Sequence, residues 1–210
     1  MSFLTASATA QNEASTPAAG ASPTRTILFF GDSLTAGYGL DDASTQAFPA
    51  LIQTRLREAG LPYTVVNAGL SGDTTGGGLR RIDWLLRRPV DVLFLELGGN
   101  DGLRGLPVEL AQKNLQAIID RARAKNPAVR VVVAGMRLPP NLGPDYASRF
   151  EAMYPALTRD NPGATLLPFI LLGVGGDAKL NQRDQIHPTA EGHRIIAELV
   201  WQTLAPVVGK

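Results

Sequence analysis

The apolar positions of the chain fall into two alternating rhythms. Thr26-Ile27-Leu28-Phe29-Phe30 is a short unbroken apolar run closed by Gly31, the pattern of a strand covered on both faces. Phe48, Leu51, Ile52 and Leu56 then recur at helical spacing, and Gly60 with Pro62 ends that helix. Residues Tyr63 to Val66 predict a second strand, and Leu79, Ile82, Leu85 and Leu86 a second helix closed by Pro89. Val92 to Leu97 predicts a third strand, followed by the turn Gly98-Gly99-Asn100-Asp101-Gly102. Pro107 stands at a helix start, ahead of an apolar face made of Val108, Ala111, Leu115, Ile118, Ile119 and Ala122. Val129 to Ala134 is a fourth strand, residues 144 to 160 a further helix, and Ala164 to Leu167 a weak fifth strand. The last helix opens at Pro188 and carries Ile195, Ile196, Leu199 and Val200 on one side.

Strands alternating with helices predict an α/β fold. Its form is a three-layer α/β/α sandwich around a mostly parallel sheet of about five strands, similar to flavodoxin. Right-handed crossovers leave few topologies. In such sheets ligands bind beyond the carboxyl ends of the strands, so the residues after strands one, two and three matter most.

Length and charge narrow the picture. The 210 residues, 44% hydrophobic and 19% charged, suit one ordinary globular domain. A formal net charge of +1 supplies no field for phosphate backbones, so no nucleic-acid partner is expected. The pairs Arg80-Arg81 and Arg87-Arg88 flank Asp83 and read as a solvated helix face. The chain has no cysteine, which removes disulfides, thiolate metal sites and a cysteine nucleophile together. No apolar stretch approaches the roughly 18 residues that cross a bilayer, so no transmembrane segment is expected. Oligomeric state is left open.

The amino-terminal stretch is different material. From Thr5 to Thr24 it is mostly Ala, Ser, Thr and Pro without an apolar period. Residues 1–24 are therefore expected to be a disordered or loosely attached tail, and residues 25–210 the folded domain. Ala8-Thr9-Ala10 before Gln11 has the small-x-small form of a signal-peptidase site, with Phe3-Leu4 as the stump of an apolar core. An ordinary Ala-rich tail accounts for it equally well. A periplasmic or secreted protein is the expectation, with the cytoplasm still open.

The strand exits carry Gly31-Asp32-Ser33-Leu34, Asn67 through Asp73, and Gly98-Gly99-Asn100-Asp101, and Asp184-Gln185-Ile186-His187-Pro188 precedes the last helix. Each alone has a bland reading. Ser33 is a helix cap, the Gly98 segment a turn, and Asp184 with His187 a loop stitched by one hydrogen bond. His193, inside the last helix, reads as packed or solvated. Together they bring a hydroxyl, backbone N–H groups, an amide, a carboxylate and an imidazole to one sheet edge. Acyl transfer needs that set.

Four blocks carry a family resemblance: residues 31–39, residues 67–75, Glu96 to Gly105, and Asp184 to Pro188. In order and spacing they resemble the SGNH, or GDSL, hydrolases, and most of all the bacterial thioesterase I/lysophospholipase L1/arylesterase branch. The resemblance implies Ser33 as nucleophile and Asp184 with His187 completing the triad. It also implies Gly72 and Asn100 as oxyanion donors beside the Ser33 N–H. It implies a small ester or thioester substrate, and no metal or organic cofactor. An α/β-hydrolase elbow would read Gly-x-Ser-x-Gly, and Thr35 in the fifth position rejects it.

For the acyl group, Leu171, Leu172 and Val174 are expected to line an apolar pocket, against plain core burial. Leu138 lies in a stretch, Leu138 to Pro144, that resembles the family's loop flanking that pocket. The Gly72-Asp73-Thr74-Thr75 loop is expected to move over substrate, with Asp73 in contact. Two other readings compete. A carbohydrate deacetylase of the same superfamily would use the same residues, and a flavodoxin-like binding module would cradle a phosphate or flavin without chemistry.

Overall fold

A computed structural model describes residues 24–139 and 142–209. The expected tail, apart from Thr24, and its Ala8-Thr9-Ala10 motif lie outside the described residues. In chain order the elements are β1 (Arg25–Gly31), α1 (Ser33–Ala36), α2 (Ala43–Gln46), α3 (Phe48–Glu58), β2 (Tyr63–Asn67), α4 (Thr75–Leu85), β3 (Val92–Glu96), α5 (Gly99–Leu103), α6 (Val108–Lys125), β4 (Arg130–Ala134), α7 (Pro144–Arg159), β5 (Thr165–Leu167) and α8 (Ala190–Val208).

The five strands form one parallel sheet in the order β2-β1-β3-β4-β5. The chain runs from β1 to β2 on one side and then crosses to β3 on the other side of β1, and in such sheets the ligand crevice lies where the strand order reverses. Helices α3 and α8 pack on each other over one face, while α4, α6 and α7 form the layer on the other. Every residue of β3 is buried, including Glu96, and its apolar run Val92 to Leu95 is what a central strand requires. Phe29 anchors the core, with its ring 5.6 Å from Phe48 and 4.8 Å from Phe94.

Three local departures from the sequence pattern bear on function. The Gly98–Gly102 turn is in fact the entry to a short helix, α5. The final helix begins at Ala190 rather than Pro188, because the Thr189 side chain caps it by accepting from the Gly192 N–H and Pro188 pairs with Asn181 in an antiparallel bridge. Helices α1 and α2 span four residues each, too few to show a period. Among the described residues no helix is long and apolar enough to cross a membrane.

Candidate active site

β1 ends at Gly31, and the next residue, Asp32, caps α1: its Oδ1 accepts the Leu34 N–H at 3.1 Å. Ser33 is therefore the first residue of a helical turn at the carboxyl edge of the sheet. Gly31 is needed for close approach. A Cβ there would sit 2.0 Å from Thr35 Oγ1 and 2.3 Å from Glu96 Oε2.

His187 Nε2 is 2.9 Å from Ser33 Oγ, and His187 Nδ1 is 2.6 Å from Asp184 Oδ2. The second Asp184 oxygen accepts the backbone N–H groups of Ile186 and His187, both at 3.0 Å. These backbone bonds and the imidazole bond hold the Asp184 carboxyl down to about 2, so the acid is ionised at neutral pH. An ionised acceptor at Nδ1 keeps the ring proton there and leaves Nε2 to accept from Ser33. Gln182 locks this loop to the serine side: its N–H donates to the His187 carbonyl at 2.7 Å, and its amide to the Tyr38 and Pro188 carbonyls at 2.7 and 3.0 Å. The Tyr38 ring lies against the imidazole, centroids 4.6 Å apart.

Asn100 lies in the first turn of α5, and its Nδ2 donates to Asp32 Oδ2 at 3.1 Å. Gly72, at φ +77°, turns a loop whose carbonyl accepts from Arg104 at 3.0 Å. Among the described residues neither the Ser33 nor the Gly72 N–H has an intramolecular acceptor, which leaves both donors free.

The 72–75 loop, expected to move, is tied down. Asp73 is buried and pairs with Arg81 at 2.7 Å. Thr75 bonds the buried Asp101 through both its N–H, at 2.8 Å, and its hydroxyl, at 2.6 Å. Asp73 thus faces α4 and not the cavity. Arg81 departs from the solvated reading of its basic run. Its guanidinium also donates to the Ala68 and Gly31 carbonyls, at 2.9 and 3.1 Å, and lies over the Phe30 ring. Arg80, Arg87 and Arg88 are exposed.

A cavity of about 570 Å³ opens beside Ser33, Asn100 and His187. Its apolar wall includes Leu103, Met136, Leu138, Phe169, Leu171 and Ile186. Leu138 and Leu171 are where the sequence placed them, but two neighbours are not. Val174 is 0% exposed and packs in the core under α8, because the Leu171–Val174 turn swings it inward. Leu172, at 58% exposed, points to solvent. Leu103, Met136, Phe169 and Ile186 were missed. Ile186 had a readable signal, an apolar residue set between Asp184 and His187.

Behind the serine lies a buried acidic pair. Glu96 Oε2 accepts from the Thr35 hydroxyl at 2.5 Å and from the Asp32 and Thr35 N–H groups at 3.3 Å. Burial, reinforced by the Asp32 charge, pushes the Glu96 carboxyl well up, and burial raises Asp32 to about 6. His193 stands outside the site. It is buried, its Nδ1 accepts the Phe48 N–H at 3.2 Å, and burial lowers it to about 4.

A serine, an imidazole and a carboxylate in hydrogen-bonded series, beside free N–H donors and an apolar cavity, are equipped for acyl transfer. The family model described as GDSL-like lipase/acylhydrolase matches residues 29–195. The chain belongs to this family. Esterase TesA of Pseudomonas aeruginosa is 43% identical over 185 residues, covering 88% of this chain and 90% of TesA. Thioesterase 1/protease 1/lysophospholipase L1 of Escherichia coli K12 is 37% identical over 185 residues, 87% of this chain and 85% of that protein. The crystal structure of TesA superposes with a TM-score of 0.82 at 42% identity, covering 87% of this chain and 99% of that one. As a GDSL acylhydrolase, this chain is a carboxylic ester hydrolase with the SGNH α/β fold.

Proposed function

We propose that this acylhydrolase is a serine esterase and thioesterase for short- to medium-chain acyl groups, with Ser33 as nucleophile. The observation that carries the reading is the 2.9 Å contact between Ser33 Oγ and His187 Nε2 at the mouth of an apolar cavity. His187 takes the hydroxyl proton as Ser33 Oγ attacks the acyl carbon, and Asp184 steadies the imidazolium. The oxyanion is met by the N–H groups of Ser33 and Gly72 and the amide of Asn100. His187 then protonates the departing alcohol or thiol, and a water repeats the sequence on the acyl-enzyme to release the acid. Leu138 and Leu171 hold the acyl chain. The activities for which the relatives are named, esterase and thioesterase/lysophospholipase, support the same substrate class of small acyl esters and thioesters.

The hydrolase domain on this reading spans residues 25–210, with 1–24 as a tail. Export rests on the Ala8-Thr9-Ala10 motif. Amino-terminal sequencing of protein recovered from cell fractions tests it, with Gln11 as the expected new terminus.

The testing experiment is a kinetic panel of aryl esters and acyl-thioesters of rising chain length, with Ser33→Ala as control. Turnover that peaks above acetate and vanishes in Ser33→Ala is expected. Acetate-only activity would point instead to a deacetylase, and near-parental turnover in Ser33→Ala would sink the nucleophile assignment.

A further inference from the structure

Asp32 stands outside the Ser33-His187-Asp184 series, yet its carboxyl touches one of the oxyanion groups, Asn100, and caps the turn that carries another, the Ser33 N–H. It is 2% exposed and lies at the cavity floor. Oδ1 accepts the Leu34 N–H at 3.1 Å, a turn that spans Ser33 and so fixes the direction of the Ser33 N–H. Oδ2 accepts Asn100 Nδ2 at 3.1 Å and, among the described residues, nothing else. A helix cap needs only the first of these oxygens.

The second oxygen bears on a choice that Asn100 must make. An asparagine amide has two ends of nearly equal shape, one a donor and one an acceptor. Turned by half a revolution, Asn100 would present Oδ1 to the reacting centre and repel the oxyanion. A carboxylate at Oδ2 forbids that rotamer, because Oδ1 would then face another acceptor. It binds one Nδ2 hydrogen and leaves the other for the oxyanion. Asp32 is itself held from behind, its N–H donating to Glu96 Oε2 at 3.3 Å. Its negative charge also faces His187, whose imidazolium forms in the same step as the oxyanion.

We propose that Asp32 is a positioning residue for ester hydrolysis, whose buried carboxyl locks the Asn100 amide with an N–H toward the oxyanion. This rests on the assignment of Asn100 as an oxyanion donor.

A double-mutant cycle with Asp32→Ser and Asn100→Ala tests it on an aryl ester. Serine keeps a capping oxygen for the Leu34 N–H but cannot reach Asn100, so the melting temperature should hold. Asn100→Ala alone should lower kcat by about 10²–10³-fold, the cost of removing one oxyanion donor. Asp32→Ser should lower kcat by about 10²-fold with KM nearly unchanged, the mark of an interaction made only in the transition state. The double variant should fall no more than about threefold below Asn100→Ala, because coupled residues fail to add. Asp32→Asn is the second variant. Its amide can still cap Leu34, but then turns an N–H toward Asn100 Nδ2, so it should show the same kcat loss if Asp32→Ser does not fold. Losses that multiply in the double variant, or parental kcat in either Asp32 variant, would overturn the proposal. Parental kcat in Asn100→Ala would remove the oxyanion assignment itself. A loss in Asn100→Ala with none at Asp32 would leave that assignment standing.

Discussion

His187 Nε2 lies 2.9 Å from Ser33 Oγ across 154 residues of chain. The contact joins the exit of the first strand to the loop before the last helix. Ser33→Ala and His187→Ala should each lower kcat by about 10⁶, and the double variant should be barely worse, because residues acting as one unit are not additive. Steady-state kinetics on an aryl ester checks this. Losses that multiply would show that the two residues do not share a step.

Asp184 uses both oxygens, one for the imidazole and one for two backbone N–H groups. An asparagine can present an acceptor to only one of these sides. Asp184→Asn should therefore lower kcat by about 10⁴, the cost of a misoriented imidazole in a serine triad. The acid's folded value of about 2 lies below its ordinary 3.8. Its stabilisation of the loop is thus present above about pH 4 and is lost as pH falls toward 2. Near-ultraviolet circular dichroism of parent and variant through that window should diverge above pH 4 and converge below it.

The layer order and the strand exits are legible in the sequence because buried parallel strands read as unbroken apolar runs, and their carboxyl ends share an edge. That logic, with the loop before the last helix, brings Ser33, Asn100, Asp184 and His187 to one edge from the sequence alone. It fails where periodicity is absent. Leu171, Leu172 and Val174 lie in a loop, and only the turn at 171–174 decides that one faces the cavity, one the solvent and one the core. Arg81 looks like any basic helix residue, since the carbonyls of Gly31 and Ala68 that receive it come from the end of β1 and the loop after β2. The Asp32–Glu96 pair is equally hidden. It depends on the parallel register that sets Gly31 beside Glu96, which neither segment reveals alone.

His193 Nδ1 accepts the Phe48 N–H and must be unprotonated to do so. Its folded value is about 4, lowered by burial from 6.5. Between those values the unfolded chain binds a proton that the native state refuses, so stability rises with pH across the window and is lost as pH falls through it. The contribution at pH 5 is ~2 kcal/mol relative to pH 7. His193→Gln keeps an acceptor for Phe48 without a titrating group. Urea unfolding at pH 7 and pH 5 should show the parent losing more stability than this variant by roughly that amount. Equal losses would mean that His193 does not carry the acid sensitivity.

Leu171 faces the cavity and Leu172, its neighbour, faces solvent. Each methylene buried in an apolar cavity is worth about 0.8 kcal/mol, or roughly fourfold in kcat/KM. The parent enzyme should therefore gain by about that factor per carbon until the chain meets the far wall. A Leu171→Trp side chain fills part of the space. If it displaces two methylenes, kcat/KM on an octanoyl ester should drop about 15-fold, while the value on a butyryl ester stays close to the parent's. Leu172→Trp adds the same bulk to the solvent side and should leave the chain-length profile unmoved. The pair separates a wall effect from a general disturbance of the loop. A shift caused by Leu172→Trp, with none from Leu171→Trp, would put the acyl chain on the other side of this loop.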